Sequence, residues 1–151
     1  MAASNDRYTV LLPEKAFWRP SNIMKIPNTN LAEQLGASKL GARLWRLPPY
    51  SANTWHKHVE QEELYFVLEG TGRIRVGADS LTIPKYGAVL VAPEVLRQVF
   101  NDTGGEVLWM IVAAPRTEEV KSPTDIYPEQ PSQLPRELHD HAWPPKDEVQ
   151  K

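Results

Sequence analysis

The sequence predicts an all-β fold, a double-sheet jelly roll, and three observations carry that prediction. Fourteen prolines and eight glycines interrupt a chain of 151 residues, so its apolar runs stay short. Between residues 40 and 115, eight such runs follow one another: ARLWRL, ANTWHKH, ELYFVLEG, GRIRV, SLTIP, GAVLVA, LRQVFN and EVLWMIVAA. Pro, Gly or charged residues separate them, and eight short strands with regular breaks are what two stacked antiparallel sheets need. Finally, no helical heptad, internal repeat or phosphate loop competes with this reading. A chain of this length is one domain and buries about two thirds of its unfolded surface.

The elements follow in order. Residues 1–40 form an arm. In it RYTVLL has strand character, and Asn30 to Leu35 predicts a short helix. Asn30 is its N-cap, Glu33 sits at the capping-box position, and Gly36 lies just past its end. Residues 40–115 are the strand-rich barrel, and Gly70-Thr71-Gly72 reads as a tight hairpin turn. GAVLVA and VLWMIVAA are apolar on both faces, which implies a second buried surface, under the arm or in a homodimer. Residues 116–151 hold six prolines and many charges without hydrophobic period, an extended tail that wraps the barrel or stays partly disordered. His139-Asp140-His141 falls in this tail, without a strand pattern or a downstream Glu, and reads as solvated.

Composition narrows the partners. The net charge is −2 with no basic block, which argues against nucleic acid. There are no cysteines, so disulfides and thiolate ligands are excluded. MAASNDRYTVLLPEKAF carries charge throughout and is not expected to be a signal peptide. No run reaches the ~18 apolar residues of a membrane span, and the expected location is cytoplasmic.

Chemistry concentrates in WHKHVEQEELYFVLEG, residues 55–70. His56 and His58 are two apart, a spacing that in a strand puts both rings on one face, roughly 6.6–6.8 Å apart along it. Glu63 opens the next β-prone run after a short polar break. Two imidazoles and a carboxylate at the start of paired strands can converge on one divalent metal. Imidazole suits Zn, Cu, Fe and Ni, and a carboxylate widens the choice toward Mn. Tyr65 shares the face of Glu63 and is a candidate catalytic hydrogen-bond or proton donor, or else a core tyrosine. Trp45, Trp55 and Phe100 read as wall and packing.

The spacing resembles the first motif of the cupins, G(X)5HXH(X)3,4E(X)6G, with His56, His58, Glu63 and Gly70 in place and Tyr50 where the opening Gly would stand. Glu62 also satisfies the family spacing. Glu63 is preferred because alternation places Glu63, Tyr65 and Val67 on one face and because the distance to Gly70 fits. Against the second motif, G(X)5PXG(X)2H(X)3N, Gly87 and Pro93 match. Val95, Gln98 and Asp102 replace the second Gly, the His and the Asn. The resemblance covers residues 40 to 115 and implies a cupin barrel whose metal ligands are His56, His58, Glu63 and, in the place of the family's His, Gln98. The expected cofactor is a divalent ion, Fe, Mn, Ni or Zn. A one-residue slip would exchange the faces and bring Arg97 inward, where it would repel a cation but clamp a carboxylate. The preferred register turns Gln98 and Phe100 inward and leaves Arg97, Val99 and Asn101 outside.

Three or four protein ligands leave open positions for water or substrate, which separates catalytic from closed metal sites. The resemblance therefore implies a metal-binding cupin, either an enzyme acting on a small oxygen-rich molecule by dioxygenase, decarboxylase, isomerase or lyase chemistry, or a non-catalytic binder of a sugar or carboxylate. A homodimer is the expected assembly.

Overall fold

The computed structural model describes residues 2–5, 7–116 and 134–139, and the remaining residues of the tail lie outside it. Twelve strands follow one another along the described chain: β1 (Ala3–Ser4), β2 (Thr9–Val10), β3 (Arg19–Pro20), β4 (Pro27–Asn30), β5 (Gly41–Leu47), β6 (Ser51–Ala52), β7 (Glu62–Glu69), β8 (Gly72–Val76), β9 (Asp79–Ile83), β10 (Ala88–Val91), β11 (Arg97–Asn101) and β12 (Val107–Ala114). All eight runs between 40 and 115 contribute strand. Of ANTWHKH, however, only Ala52 lies in β6, and His56 pairs with Arg97 in an isolated bridge. RYTVLL contributes only Thr9 and Val10, paired with β1 in a ribbon of their own.

The expected helix is present as α1 (Leu31–Leu35). Asn30 caps it by accepting from the Glu33 N–H, and its amide donates to the Glu33 carboxylate, a reciprocal pair that satisfies two polar groups at the helix start. Gly36 ends it in the left-handed conformation, φ 73°.

Two antiparallel sheets carry the fold. The larger runs β10-β7-β12-β5-β4-β3 and the smaller β6-β11-β8-β9. Their inner faces share one apolar core that includes Val67, Trp109 and Leu47 from the large sheet and Ile74 and Val99 from the small one. No strand ladder joins the two sheets among the described residues, so the jelly roll is not a closed barrel. The arm is not a separate layer. Its strands β3 and β4 extend the large sheet beyond β5.

Gly70-Thr71-Gly72 is not a hairpin. β7 pairs with β10 and β12, and β8 pairs with β9 and β11, so the turn carries the chain from one sheet to the other. Glycine is needed there by close approach. A Cβ on Gly72 would lie 2.4 Å from the Trp109 ring and 2.6 Å from Val67. The two-residue hairpin is instead at Gly77-Ala78, between β8 and β9, with Gly77 at φ 56°.

Beyond Arg116, the described part of the tail is residues 134–139, which lie against the fold. Leu134 and Leu138 are buried in the core cluster, and Glu137 pairs with Arg73 of β8 at 3.0 Å. Arg73 lies 5.1 Å above the Phe100 ring and shares that face of the small sheet with it. Of His139-Asp140-His141, only His139 is described. Its Nε2 lies 3.0 Å from the Leu134 carbonyl oxygen.

Candidate metal centre

Three side chains from two segments converge on the inner side of the sheets. His56 and His58 stand on the connection between β6 and β7, and Glu63 on β7. One ligating atom from each lies within 4.8 Å of the others. The Glu63 Oε1 is 3.3 Å from His58 Nε2 and 3.7 Å from His56 Nε2, and the two rings meet edge to face with centroids 4.9 Å apart. Backbone placement explains the convergence. His56 and Arg97 exchange both backbone hydrogen bonds, at 3.1 and 2.8 Å, which anchors the histidine segment to β11. Glu63 is fixed by the ladders of β7 to β10 and β12. Alternation along β7 buries Glu63, Tyr65 and Val67 and leaves Glu62 exposed, so the preference for Glu63 over Glu62 matches the strand's facing.

The donor set fits a divalent ion. Two atoms each about 2.1 Å from a common ion are roughly 3.0–3.5 Å apart at octahedral or tetrahedral angles, close to the 3.3 and 3.7 Å seen here. The tautomer fits as well. His56 Nδ1 lies 3.0 Å from the Thr54 carbonyl oxygen, which only accepts, so Nδ1 carries a proton and Nε2 is the atom left facing Glu63. Protonated, Nε2 donates to the carboxylate; deprotonated, it offers its lone pair to an ion held between them. Burial alone would raise the Glu63 carboxyl. The hydrogen bonds and charge of His56 and His58 outweigh it and hold the group well below the ordinary carboxylate range.

Tyr65 is 1% exposed, and its hydroxyl donates to Glu63 Oε1 at 2.8 Å. Burial, then the Glu63 charge, raises its pKa well above the ordinary phenol value, so it remains a donor. In this arrangement the hydroxyl orients the carboxylate.

Gln98 is not brought to the three. Its Oε1 accepts from Arg75 Nε at 2.7 Å and its Nε2 donates to the Asn53 carbonyl at 2.6 Å, which engages both ends of the amide. Gln98 stands opposite Arg75, and Phe100 opposite Arg73, on the face reached by the tail. The preference for Gln98 inward is therefore corrected: β11 adopts the other register. Arg97 and Val99 face the interior, and Arg97 Nη1 is 3.7 Å from Glu63 Oε1. Arg97 is 0% exposed. Its Nη2 donates to the Ala92 carbonyl at 2.9 Å, while Nε and Nη1 have no hydrogen-bond partner.

The cluster opens on a cavity of about 780 Å³. Around it stand Asn53, Thr54, Trp45, Ile111 and Ala113, and toward the arm Arg19, Asn28, Arg43 and Arg116. The arginines line the same cavity and were not anticipated from sequence. They lie 24 and 73 residues apart in the chain, and only the pairing of β3, β4, β5 and β12 gathers them. Trp45 lines the cavity, whereas Trp55 stacks under Arg75 at 4.0 Å and Phe100 packs under Arg73, as wall and packing residues.

Sheets, site and sequence define one class. Residues 43–113 match the Cupin domain family, and the chain carries a cupin domain. The fold is similar to that of a sugar phosphate isomerase of the cupin superfamily from Silicibacter pomeroyi, with TM-score 0.66 and 21% identity over 80% of this chain and 82% of that one. It is similar to a predicted oxalate decarboxylase from Thermotoga maritima, with TM-score 0.62 and 18% identity over 71% of this chain and 99% of that one. It is also similar to a protein from Acidithiobacillus ferrooxidans assigned by prediction as a sugar phosphate isomerase, with TM-score 0.58 and 21% identity over 63% of this chain. The match covers 62% of that relative, less than two thirds of its length. At these identities the likeness establishes the fold. No curated protein sequence matches the chain. No helix among the described residues is long and apolar enough to cross a membrane.

Proposed function

We propose that the protein is a metal-dependent cupin enzyme acting on a small oxygen-rich molecule. The observation that carries this reading is the convergence of His56, His58 and Glu63 at the wall of a 780 Å³ cavity. These three would hold Fe, Mn, Ni or Zn, and such an ion, when bound, polarises a carbonyl or hydroxyl oxygen. Tyr65 acts as a positioning residue through Glu63, holding the carboxylate with its hydroxyl. Arg97 places a fixed positive charge beside the same oxygen, which limits how strongly the site draws a cation and favours an anionic oxygen next to it. Among isomerase, lyase, decarboxylase and dioxygenase chemistry, the first three match the cavity's basic lining, since their charged intermediates are stabilised by guanidinium groups.

A second reading, a non-catalytic binder, is favoured by one observation. Among the described residues lining the cavity, Glu63 is the only carboxylate, and it is already engaged by Tyr65 and both histidines. A proton-transfer enzyme would have to draw on the histidines or on the ligand's own groups. The test is elemental analysis of protein purified without a His tag, followed by proton NMR of the metal-loaded protein in deuterated water with sugars, sugar acids and hydroxy acids. New signals or exchange of a carbon-bound proton support the enzyme. Tight metal and ligand binding with unchanged spectra supports the binder. Absence of stoichiometric metal removes the metal-dependent reading.

The assembly we infer is a homodimer through the outer face of the large sheet. Leu64, Leu90 and Tyr86 are exposed there, with Tyr86 stacked on Phe66, and Tyr8, Leu12 and Phe17 are exposed on the arm. A stable pairing would bury at least ~1,000 Å² in total. A monomer by light scattering at micromolar concentration refutes it.

A further inference from the structure

The two ends of the cavity differ in charge. Asn30, Arg43, Ile111 and Tyr65 are paired in one row across β4, β5, β12 and β7. Two ladder spacings of about 4.8 Å put the Arg43 backbone roughly 10 Å from that of Tyr65. Imidazoles and a carboxylate stand at one end, apolar Ile111 and Ala113 in the middle, and guanidinium and amide groups at the other.

The basic end is assembled with care for orientation. Arg43 donates from Nη1 to Asn28 Oδ1 at 2.7 Å and lies 5.9 Å from the Trp45 ring centre. Asn28 is 2% exposed and is itself fixed by donating to the carbonyls of Arg19 and Ile26. Arg19 is held by Asn22, and Arg116 donates to the Ala37 carbonyl. Burial lowers the Arg43 pKa. Glu33 opposes this, and the charges of Arg19 and Arg116 each add to it, so Arg43 stands near two further cations. Among the described residues no carboxylate stands within ion-pair distance of any of the three. Glu33 instead accepts from Asn30. Three guanidiniums facing one cavity, with no carboxylate among the described residues bridged to them, are stabilised by an anion, and a guanidinium binds a carboxylate or phosphate with two parallel hydrogen bonds.

We propose that Arg43, flanked by Arg19 and Arg116 and oriented by Asn28, is a subsite for the anionic group of an oxygen-rich ligand whose other end reaches the His56, His58, Glu63 cluster. The ligand class is a sugar acid or a sugar phosphate, and carboxylate and phosphate share the chemistry that the subsite reads. This inference rests on the cavity being a small-molecule site and adds the charge of the molecule it takes.

The test separates the two ends. The full chain is titrated at low salt with gluconate, inorganic phosphate and sorbitol, reading melting shifts and calorimetric heats. This is done on the unmodified protein, on Arg43→Gln, on the double variant Arg19→Gln/Arg116→Gln at the exposed rim, and on His56→Ala/His58→Ala. The expected result is binding of gluconate, phosphate or both but not of sorbitol, weakened at least about tenfold in Arg43→Gln and severalfold in the rim variant, with metal content unchanged in both. Which anion binds tells carboxylate from phosphate. If Arg43→Gln does not fold, the rim variant decides alone. Binding of phosphate by His56→Ala/His58→Ala shows that the subsite stands even where the metal reading fails. The proposal is overturned if neither anion binds, if sorbitol binds as well as gluconate, or if the arginine variants bind the anions undiminished.

Discussion

The inner and outer faces of the small sheet are built from the same strands and solve opposite problems. On the outer face, Gln98 has both ends of its amide engaged by Asn53 and Arg75, Arg73 is paired with Glu137, and Leu134 and Leu138 are buried nearby. On the inner face, the neighbouring Arg97 is as deeply buried as Gln98, yet its Nε and Nη1 have no hydrogen-bond partner, and Nη1 lies 3.7 Å from Glu63 Oε1. A satisfied polar residue under a covering segment is structural. A buried cation with unused donors beside a cluster of ligating atoms is what the proposed site would use, since such donors are costly unless a ligand or water completes them.

The largest effect that would break this comparison lies inside. His56→Ala/His58→Ala is expected to lower metal affinity by at least about a hundredfold while the protein still melts cooperatively. Stoichiometric metal in this variant, by elemental analysis, would remove the inner face's claim to a site. On the outer face, Leu138→Ala is expected to cost about 2–4 kcal/mol of stability in urea melts with metal content unchanged, because it opens a cavity under the tail. Arg97→Met should raise affinity for Mn²⁺ about tenfold in a direct titration, because it removes a positive charge 3.7 Å from a ligand oxygen. A drop instead would make Arg97 a support of the cluster. Gln98→Ala should cost about 1–2 kcal/mol, the effect of leaving Asn53 and Arg75 short of a partner, and should leave metal affinity where it was.

The smallest effect is with pH. The Glu63 carboxyl is depressed in the fold, so its stabilising contribution is complete above the unfolded value of about 4.3 and disappears only as pH falls through the lower folded value. Between pH 7 and about 4.5 the Glu63 carboxyl itself therefore adds no pH dependence, and the loss of its contribution, read in urea melts as the unmodified protein converging on Glu63→Gln, is expected only in stronger acid.

These contrasts also mark what the sequence could carry. The α1 caps were legible because Asn30 with Glu33 at one end, and Gly36 at the other, each act within one turn of backbone. His56, His58 and Glu63 could be singled out because eight consecutive residues contain them, although the two histidines stand on the connection before β7 and not on a strand face with Glu63. The facing of β11 was not, since all five residues of RQVFN are buried and no alternation of polar and apolar positions sets a register. Gly70-Thr71-Gly72 announces a turn but does not say to which sheet the chain goes next. The arginine end of the cavity depends on strands far apart in sequence, and LPREL is too short to signal that its two leucines are core.

The reciprocal backbone bonds between His56 and Arg97 tie one ligand segment and the interior cation into a single piece of main chain. Filling the cluster should then be recorded beyond the cavity. Amide hydrogen exchange at His56 and Arg97 would slow together on adding metal. The slowing should continue along β11 to Val99, whose carbonyl accepts from the Asn53 N–H, so that an event at the ions can be timed from protons that never touch them.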